Sequence, residues 1–429
     1  MHRRSPLSFL IIPLFITLIE GAAFYGWNHM LKEEGHLHLL QFFNMFYAIE
    51  VAFIAIMLLL VMGSFSKLFN VKRTYYSSQG IGIVMADMLP KLLFTVFVIL
   101  FCLIQGGYVL LNKFLIHGAR LRLNLDFILV IGTILSFTLF IIVLRGIMVG
   151  RFDFKVVEES IHFDTLPKEF NKLKVVQISD IHIGSFFKHK DQIAKAVEIV
   201  NSLKPDIIVF TGDMVNHIAD ETNGFESIFQ KLQAPLGKFA ILGNHDYGDY
   251  VKWESKEEKQ KNLEALCDFI RKAGFDLLLN ENRIITKNGQ QIAIIGVENW
   301  GTPPFAQYGY LPDAVKGTED IPFKLLLSHD PSHWDEEIVD KTNINLTLSG
   351  HTHGMQFGIR IGDWQWSPVQ WRYEKWHGLY THHKQNLYVN RGLGHIGFPG
   401  RVGMLPEITL LELSSPNIAG HHMPVMLSI

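Results

Sequence analysis

The sequence predicts a mixed α/β fold, a sandwich of two sheets with outer helices, carried behind an N-terminal region of four membrane helices. Three observations point there. Charge is unevenly spread, with 17 of the 80 charged side chains in the first 150 residues and 63 in the remaining 279. Four apolar stretches of the roughly 20 residues that cross a bilayer fall in the charge-poor part. Behind them, short β-branched runs alternate with an amphipathic helical pattern, as packed strands and helices require.

The spans are expected at 6–27, 39–62, 92–111 and 127–148, inside a membrane region covering 1–150. No small-residue cleavage site follows the first stretch and three more spans come after it, so it reads as a retained helix rather than a signal peptide. Four spans put both ends of the chain on one side. If the first helix enters from the cytoplasm, the inner segments hold Arg3, Arg4, Lys67, Lys72, Arg73, Lys91, Arg145, Arg151 and Lys155. The outer loops hold Lys32, Lys113, Arg120 and Arg122. This bias places the large domain in the cytoplasm. Glu20 and Glu50 interrupt the first two spans, where an ionisable group needs a partner. Because the spans run antiparallel, the two carboxyls could share a proton or a cation, or hold helices together through hydrogen bonds.

The rest of the chain is read as a domain over 151–415 and a tail over 416–429, with the charge density of an ordinary globular fold. It carries 28 basic against 35 acidic residues, which leaves no strongly basic face and argues against nucleic acid as a partner. The two cysteines, Cys102 and Cys267, lie in different parts of the chain and exclude a disulfide framework. Strands expected at 174–179 and 206–211 flank a helix at 191–203, whose Ile193, Val197 and Val200 share a face; together they close a βαβ unit. Further strands are expected at 238–242, 292–297, 324–328, 345–349, 387–390 and 407–413. Asn288-Gly289, between apolar runs at 283–286 and 291–295, is a two-residue hairpin signal.

Five of these strands stop in polar clusters. They are Ser179-Asp180-Ile181-His182, Gly212-Asp213-Met214-Val215-Asn216, Gly243-Asn244-His245-Asp246, Ser328-His329-Asp330 and Gly350-His351-Thr352-His353-Gly354. Strand C-termini are where a rigid α/β scaffold presents reactive groups. Oxygen and imidazole donors without thiolates suit first-row divalent ions such as Mn, Fe or Zn. So many donors exceed what one catalytic ion takes, and fit two ions sharing a carboxylate, which lower the pKa of a bridging water and clamp charge on a phosphoryl oxygen. The reaction class implied is metal-assisted hydrolysis of a phosphate ester or diphosphate.

The order D-x-H, GD, GNHD, H, GHTH resembles the calcineurin-like metallophosphoesterase superfamily. The closing segments Val389-Asn390-Arg391-Gly392-Leu393-Gly394 and Leu405-Pro406-Glu407-Ile408-Thr409 are similar to a bacterial branch whose members often carry a membrane anchor. The resemblance implies a four-layer αββα metallophosphoesterase sandwich and, with the spans, a bacterial inner-membrane hydrolase. It also implies two divalent metal ions. Asp180, His182 and His353 would hold the first, Asp213 would bridge, and Asn244, His329 and His351 would hold the second. His245 would stabilise the transition state or protonate the leaving oxygen.

Asp246 would orient His245 or its loop, or cap a turn. Arg391 would fork onto a substrate phosphate, or pair with a carboxylate near the sheet. Four of the eight tryptophans lie between Trp364 and Trp376; Trp364 and Trp366 are candidates for a substrate wall or a bilayer interface, or form an aromatic core. With the spans, they point to an amphiphilic or lipid-linked phosphoester as substrate and to membrane lipids as partners. Two other readings stay open: a phosphodiesterase for soluble nucleotides, and a metal-dependent sensing module without turnover.

Overall fold

The computed structural model describes residues 6–33, 37–64, 70–114, 124–362 and 364–416. They form two compact units, one holding most of the first four helices and the other nearly all of the chain from Gly150 onward. Arg3, Arg4, Lys67, Arg120 and Arg122 of the topology argument, and nearly all of the expected tail, lie outside the described residues.

The helical unit contains α1 (Pro6–Glu33), α2 (Leu37–Ser64), α3 (Val71–Phe114) and α4 (Asp126–Met148). Among the described residues, three stretches are long and apolar enough to cross a membrane: His38–Val61, Val71–Phe114 and Asp126–Phe152. The expected count of four is thus met by helices and, by this criterion, by three spans. Leu14, Phe42, Leu59, Leu103 and Phe137 are all more than half exposed. So many large apolar side chains facing outward are stable only with lipid as solvent. At 44 residues, α3 is about 66 Å long, roughly twice the hydrocarbon thickness, and the span expected at 92–111 is only its C-terminal half.

Glu20 and Glu50 find their partner inside the bundle. The Lys91 ammonium, almost fully buried, lies 3.0 Å from Glu20, 2.8 Å from Glu50 and 3.0 Å from Asp87. Tyr47 donates its hydroxyl to Glu20 at 2.6 Å. The cation shared by the two glutamates is therefore a side chain of α3. Lys91 does not belong among the cytoplasmic loop charges, which corrects the topology argument by one residue.

The second unit is built on two six-stranded sheets. In spatial order the first holds β1 (Lys155–His162), β14 (Glu407–Ser414), β2 (Leu173–Ile178), β3 (Ile207–Thr211), β4 (Lys238–Ile241) and β5 (Asp276–Leu277). The other holds β12 (Gly378–His382), β13 (Gln385–Val389), β9 (Leu346–Ser349), β8 (Lys324–Leu327), β7 (Gln290–Gly296) and β6 (Glu281–Lys287). Successive side chains on a strand point to opposite faces, and this sorts the cores. Ile207 and Val209 of β3 join Leu325, Leu327, Leu346 and Leu348 between the sheets. Ile208 and Phe210 join α5 (Lys190–Ser202), α6 (Glu226–Phe229) and α7 (Lys256–Lys272) through Val197, Val200, Phe229, Leu266 and Ile270. On the far side, Leu326 packs with Trp334, Ile338 and residues of α8 (Leu311–Ala314). The layers run helix, sheet, sheet, helix, as the resemblance implies.

Asn288 and Gly289 turn β6 into β7 with φ of 49° and 80°, the two positive values a type I′ hairpin needs. Strands β1, β5 and β12 are not foreshadowed by the sequence pattern. They lie at sheet edges, where β1 carries Lys155, Glu158 and Glu159 and β5 is two residues long; edge strands tolerate charge and brevity. Leu327 is fully buried between the sheets, so Leu327→Ala should cost about 2–5 kcal/mol, read as a lowered denaturation midpoint of the detergent-solubilised protein.

Candidate metal centre

Strands β2, β3 and β4 run parallel in one sheet, and β7, β8 and β9 in the other. The loops leaving β2, β3, β4, β8 and β9 meet at one end of the sandwich. They are knitted together by the backbone: Asp180 N–H donates to Gly212 O at 2.9 Å, His182 N–H to Asp213 O at 3.1 Å, and Gly350 N–H to His329 O at 3.0 Å. Gln177 links the sheets, donating its amide to Thr211 Oγ1 and to Ser349 O. Asp180, His182, Asp213, His351 and His353 all hold positive φ, between 45° and 69°. Five non-glycine residues in the left-handed region cost of order 1–3 kcal/mol each, and they persist only where the surroundings impose them.

One buried carboxylate supplies part of that imposition, at Asp213. Asp246 accepts the backbone N–H groups of Asp213 at 2.9 Å, Met214 at 2.8 Å, Val215 at 3.2 Å and Gly243 at 2.9 Å. It therefore acts on two loops rather than on His245 alone, and burial pushes its carboxyl up, to about 7. Glycine is required beside it. A Cβ on Gly243 would meet Asp213 Oδ1 at 2.3 Å, and one on Gly350 would meet Asp180 Oδ2 at 2.3 Å.

The side chains converge as two donor sets sharing Asp213. In the first, His182 Nε2 lies 3.0 Å from His353 Nε2 and 3.6 Å from Asp213 Oδ2, and His353 Nε2 lies 3.2 Å from Asp180 Oδ1. In the second, His329 Nε2 lies 3.2 Å from Asp213 Oδ2 and 3.3 Å from His351 Nδ1, which lies 2.8 Å from Asn244 Oδ1. Each set gathers four donors, all seven residues are buried or nearly so, and both sets have the Asp and His chemistry that holds a metal ion.

The outer ring atoms decide the fit. His182 Nδ1 faces Val215 O at 3.2 Å, His329 Nδ1 faces Thr211 O at 2.7 Å, and His351 Nε2 meets the Tyr373 hydroxyl at 2.7 Å. A carbonyl can only accept, so His182 and His329 each carry a proton outward, and the neutral His182 thereby turns a bare nitrogen toward the centre, the tautomer a divalent cation needs. Burial lowers the pKa values of His182 and His351 and keeps them neutral. Burial also opposes charge on His329, but the adjacent Asp213 carboxylate overrides it and lifts that imidazole to about 10. Metal loading must release that proton. Asp213 is itself buried, yet His329 and His245 hold it well below the ordinary carboxyl value.

His245 stands at the edge of both sets. Its backbone N–H donates to Asp213 Oδ1 at 2.8 Å and its Nδ1 faces Asn216 O at 2.7 Å, leaving Nε2 as the reactive atom. Two tyrosines outside every motif complete the rim. Tyr250 accepts the Asn244 amide at 2.7 Å, which turns Asn244 Oδ1 inward, and Tyr373 fixes His351. Burial holds both phenols protonated, Tyr250 at about 12. Nothing in a sequence read strand by strand marks them, because each acts across a fold contact.

Two expectations change. Arg391 is buried and bonds Glu407 through Nε at 2.5 Å, which makes the carboxylate pair near the sheet. Arg401, unremarked in the sequence, approaches His353 Nδ1 at 3.2 Å and donates to the carbonyls of Arg391, Gly392 and Gly394. The aromatic segment does lean on the metal loop, through Ser367 to Gly354 O and Tyr373 to His351, whereas Trp364 is more than half exposed and Trp366 packs edge-on against Trp371.

The calcineurin-like phosphoesterase family model matches residues 173–355, a stretch that holds all seven donors and His245 and ends before the aromatic segment. An uncharacterized metallophosphoesterase of Bacillus subtilis, YkuE, is 30% identical over 272 residues, covering 61% of this chain and 86% of that protein. Phosphodiesterase YaeI of Escherichia coli is 28% identical over 249 residues, covering 56% of this chain and 82% of that protein. A transmembrane protein with metallophosphoesterase domain from Danio rerio is 27% identical over 268 residues, covering 60% of this chain and 57% of that protein.

Because Tyr373 orients His351, Tyr373→Phe should weaken divalent-metal affinity by about 10- to 100-fold. Metal content after dialysis against graded chelator measures it, and unchanged retention would remove Tyr373 from the site.

Proposed function

This chain belongs to the calcineurin-like phosphoesterases, metal-dependent phosphoric ester hydrolases, and we propose that it acts on an amphiphilic or lipid-linked phosphodiester or diphosphate with two divalent ions bound. The observation that carries the two-ion reading is the single Asp213 carboxylate shared by two four-donor sets. Asp180, His182, His353 and Asp213 would hold one ion; Asp213, Asn244, His329 and His351 the other, with Mn, Fe or Zn the fitting class. When bound, such ions lower the pKa of a water and neutralise charge on phosphoryl oxygens.

The chain's own residues do the rest. Asp246 and the glycines fix the loops, so the donors need not reorganise during turnover. Burial lowers the pKa of His245 and favours its neutral form at rest. An arriving phosphoryl group brings negative charge and raises that pKa again. The imidazolium then forms with substrate present, where Nε2 can donate to a phosphoryl or leaving oxygen. The name of the Escherichia coli relative supports a diester. The lipid-linked reading draws on the membrane helices and on the exposed aromatic segment seated against the metal loop. This is a membrane protein, and the proposed arrangement is four spans in a bacterial inner membrane with the hydrolase domain in the cytoplasm.

Full-length protein assayed in lipid nanodiscs should cleave both a soluble aryl phosphodiester and a nucleotide-linked lipid, with higher kcat/KM on the lipid. Preference for free nucleotide would favour the soluble-substrate reading instead. Asp213→Asn should abolish turnover and lower bound metal from two ions, since one carboxylate serves both; retained activity would refute the shared-ligand assignment. His245→Ala should keep its metal and lose about 10²–10⁴ in kcat, whereas metal loss would place His245 among the ligands.

A further inference from the structure

The loop that carries His351 and His353 continues into a small hairpin of its own, β10 (Ile359–Ile361) and β11 (Trp364–Trp366). Its register pairs Ile359 with Trp366, Arg360 with Gln365 and Ile361 with Trp364. Paired residues share a face and neighbours alternate. One face is therefore Ile359, Ile361, Trp364 and Trp366, and the other is Arg360 and Gln365. Among the described residues the sheet has these two strands and no third extends it. Ile361 is 69% exposed, Trp364 56%, and Trp371, which meets Trp366 edge-on, 78%. A two-stranded hairpin is marginal alone, and this one is held at its root, where Gly358 N–H donates to Val402 O and Ser367 to Gly354 O.

An apolar face of this composition in water is costly unless something covers it. We propose that the hairpin inserts its Ile359, Ile361 and Trp364 face into the interfacial layer of a lipid bilayer, holding the metal-centre mouth where an amphiphilic phosphoester partitions. Three facts favour a bilayer as the occupant. Tryptophan concentrates at membrane interfaces because its ring is apolar and its N–H is not. Arg360, on the opposite face, suits the headgroup layer. And the domain is tethered: only six residues separate the end of α4 at Met148 from β1 at Lys155. The root then meets the metal loop through Ser367, which donates to Gly354 O beside His353.

The test uses full-length protein in nanodiscs, with Ile361→Cys carrying an environment-sensitive fluorophore in a Cys102→Ser, Cys267→Ala background. Lipids brominated on their acyl chains should quench this label and leave unaffected one placed by Lys384→Cys on the exposed β12–β13 turn. A label at 361 as unquenched as that at 384 overturns the proposal, whether the face is then covered by a second copy or by another protein. A second arm rests on the phosphoesterase reading. Ile361→Asp should leave turnover of a soluble aryl phosphodiester unchanged and lower kcat/KM on a bilayer-embedded phosphodiester by about tenfold or more, as expected for losing one buried Ile. Equal loss on both substrates overturns the insertion role. No turnover of either by the unsubstituted protein defeats the enzymatic reading, while the quenching result still decides the hairpin.

Discussion

Everything in the catalytic half depends on forcing seven donors from five strand ends into two overlapping shells. Left to themselves, three carboxylate or amide oxygens and four imidazoles would stay apart in water, and their backbones would avoid the left-handed region. The parallel strands remove the first obstacle by delivering the loops to one end of the sandwich. The buried Asp246 carboxylate removes part of the second, at Asp213, because four backbone N–H groups point at it and fix the loops after β3 and β4 together. The outer ring nitrogens of His182, His329 and His351 are then tied off, to Val215 O, Thr211 O and Tyr373. Preorganisation of this kind keeps the donors aimed inward while they are still short of a cation.

The membrane half solves a related problem with a different instrument. Glu20, Glu50 and Asp87 sit among apolar helices, where a lone carboxylate would be expensive. Lys91 meets all three. The geometry ties α1, α2 and α3 through one ammonium, a constraint on helix register that packing of Leu and Phe side chains would not give.

The metal loops and the aromatic segment are consecutive but distinct along the chain. The family match ends at residue 355, just past His353. The segment that follows, with its hairpin and tryptophans, returns to the metal loop through Tyr373 and Ser367. A common hydrolytic centre can thus be aimed at a particular substrate by residues outside the shared motif, since fold and metal set do not encode specificity.

The residues themselves determined a good deal. Charge distribution and apolar run length marked the membrane region, alternation and turn residues marked most central strands and the Asn288-Gly289 hairpin, and the five polar clusters contain the seven side chains that the fold brings together. These are local properties, readable within a few residues. What only the tertiary structure decided depends on partners far apart in sequence: Asp180 beside the His351 loop 171 residues away, Asn244 beside His351 at 107, Lys91 beside Glu20 at 71. Arg391 and Arg401 show the limit well. Both are arginines in one glycine-rich segment, and only the position of Glu407 and of the carbonyls at 391–394 assigns the first to the sheet and the second to the His353 loop. Tyr250 and Tyr373 likewise carry no signal until the fold brings their hydroxyls to Asn244 and His351, because a hydrogen bond is specified by where two atoms meet and not by either residue alone.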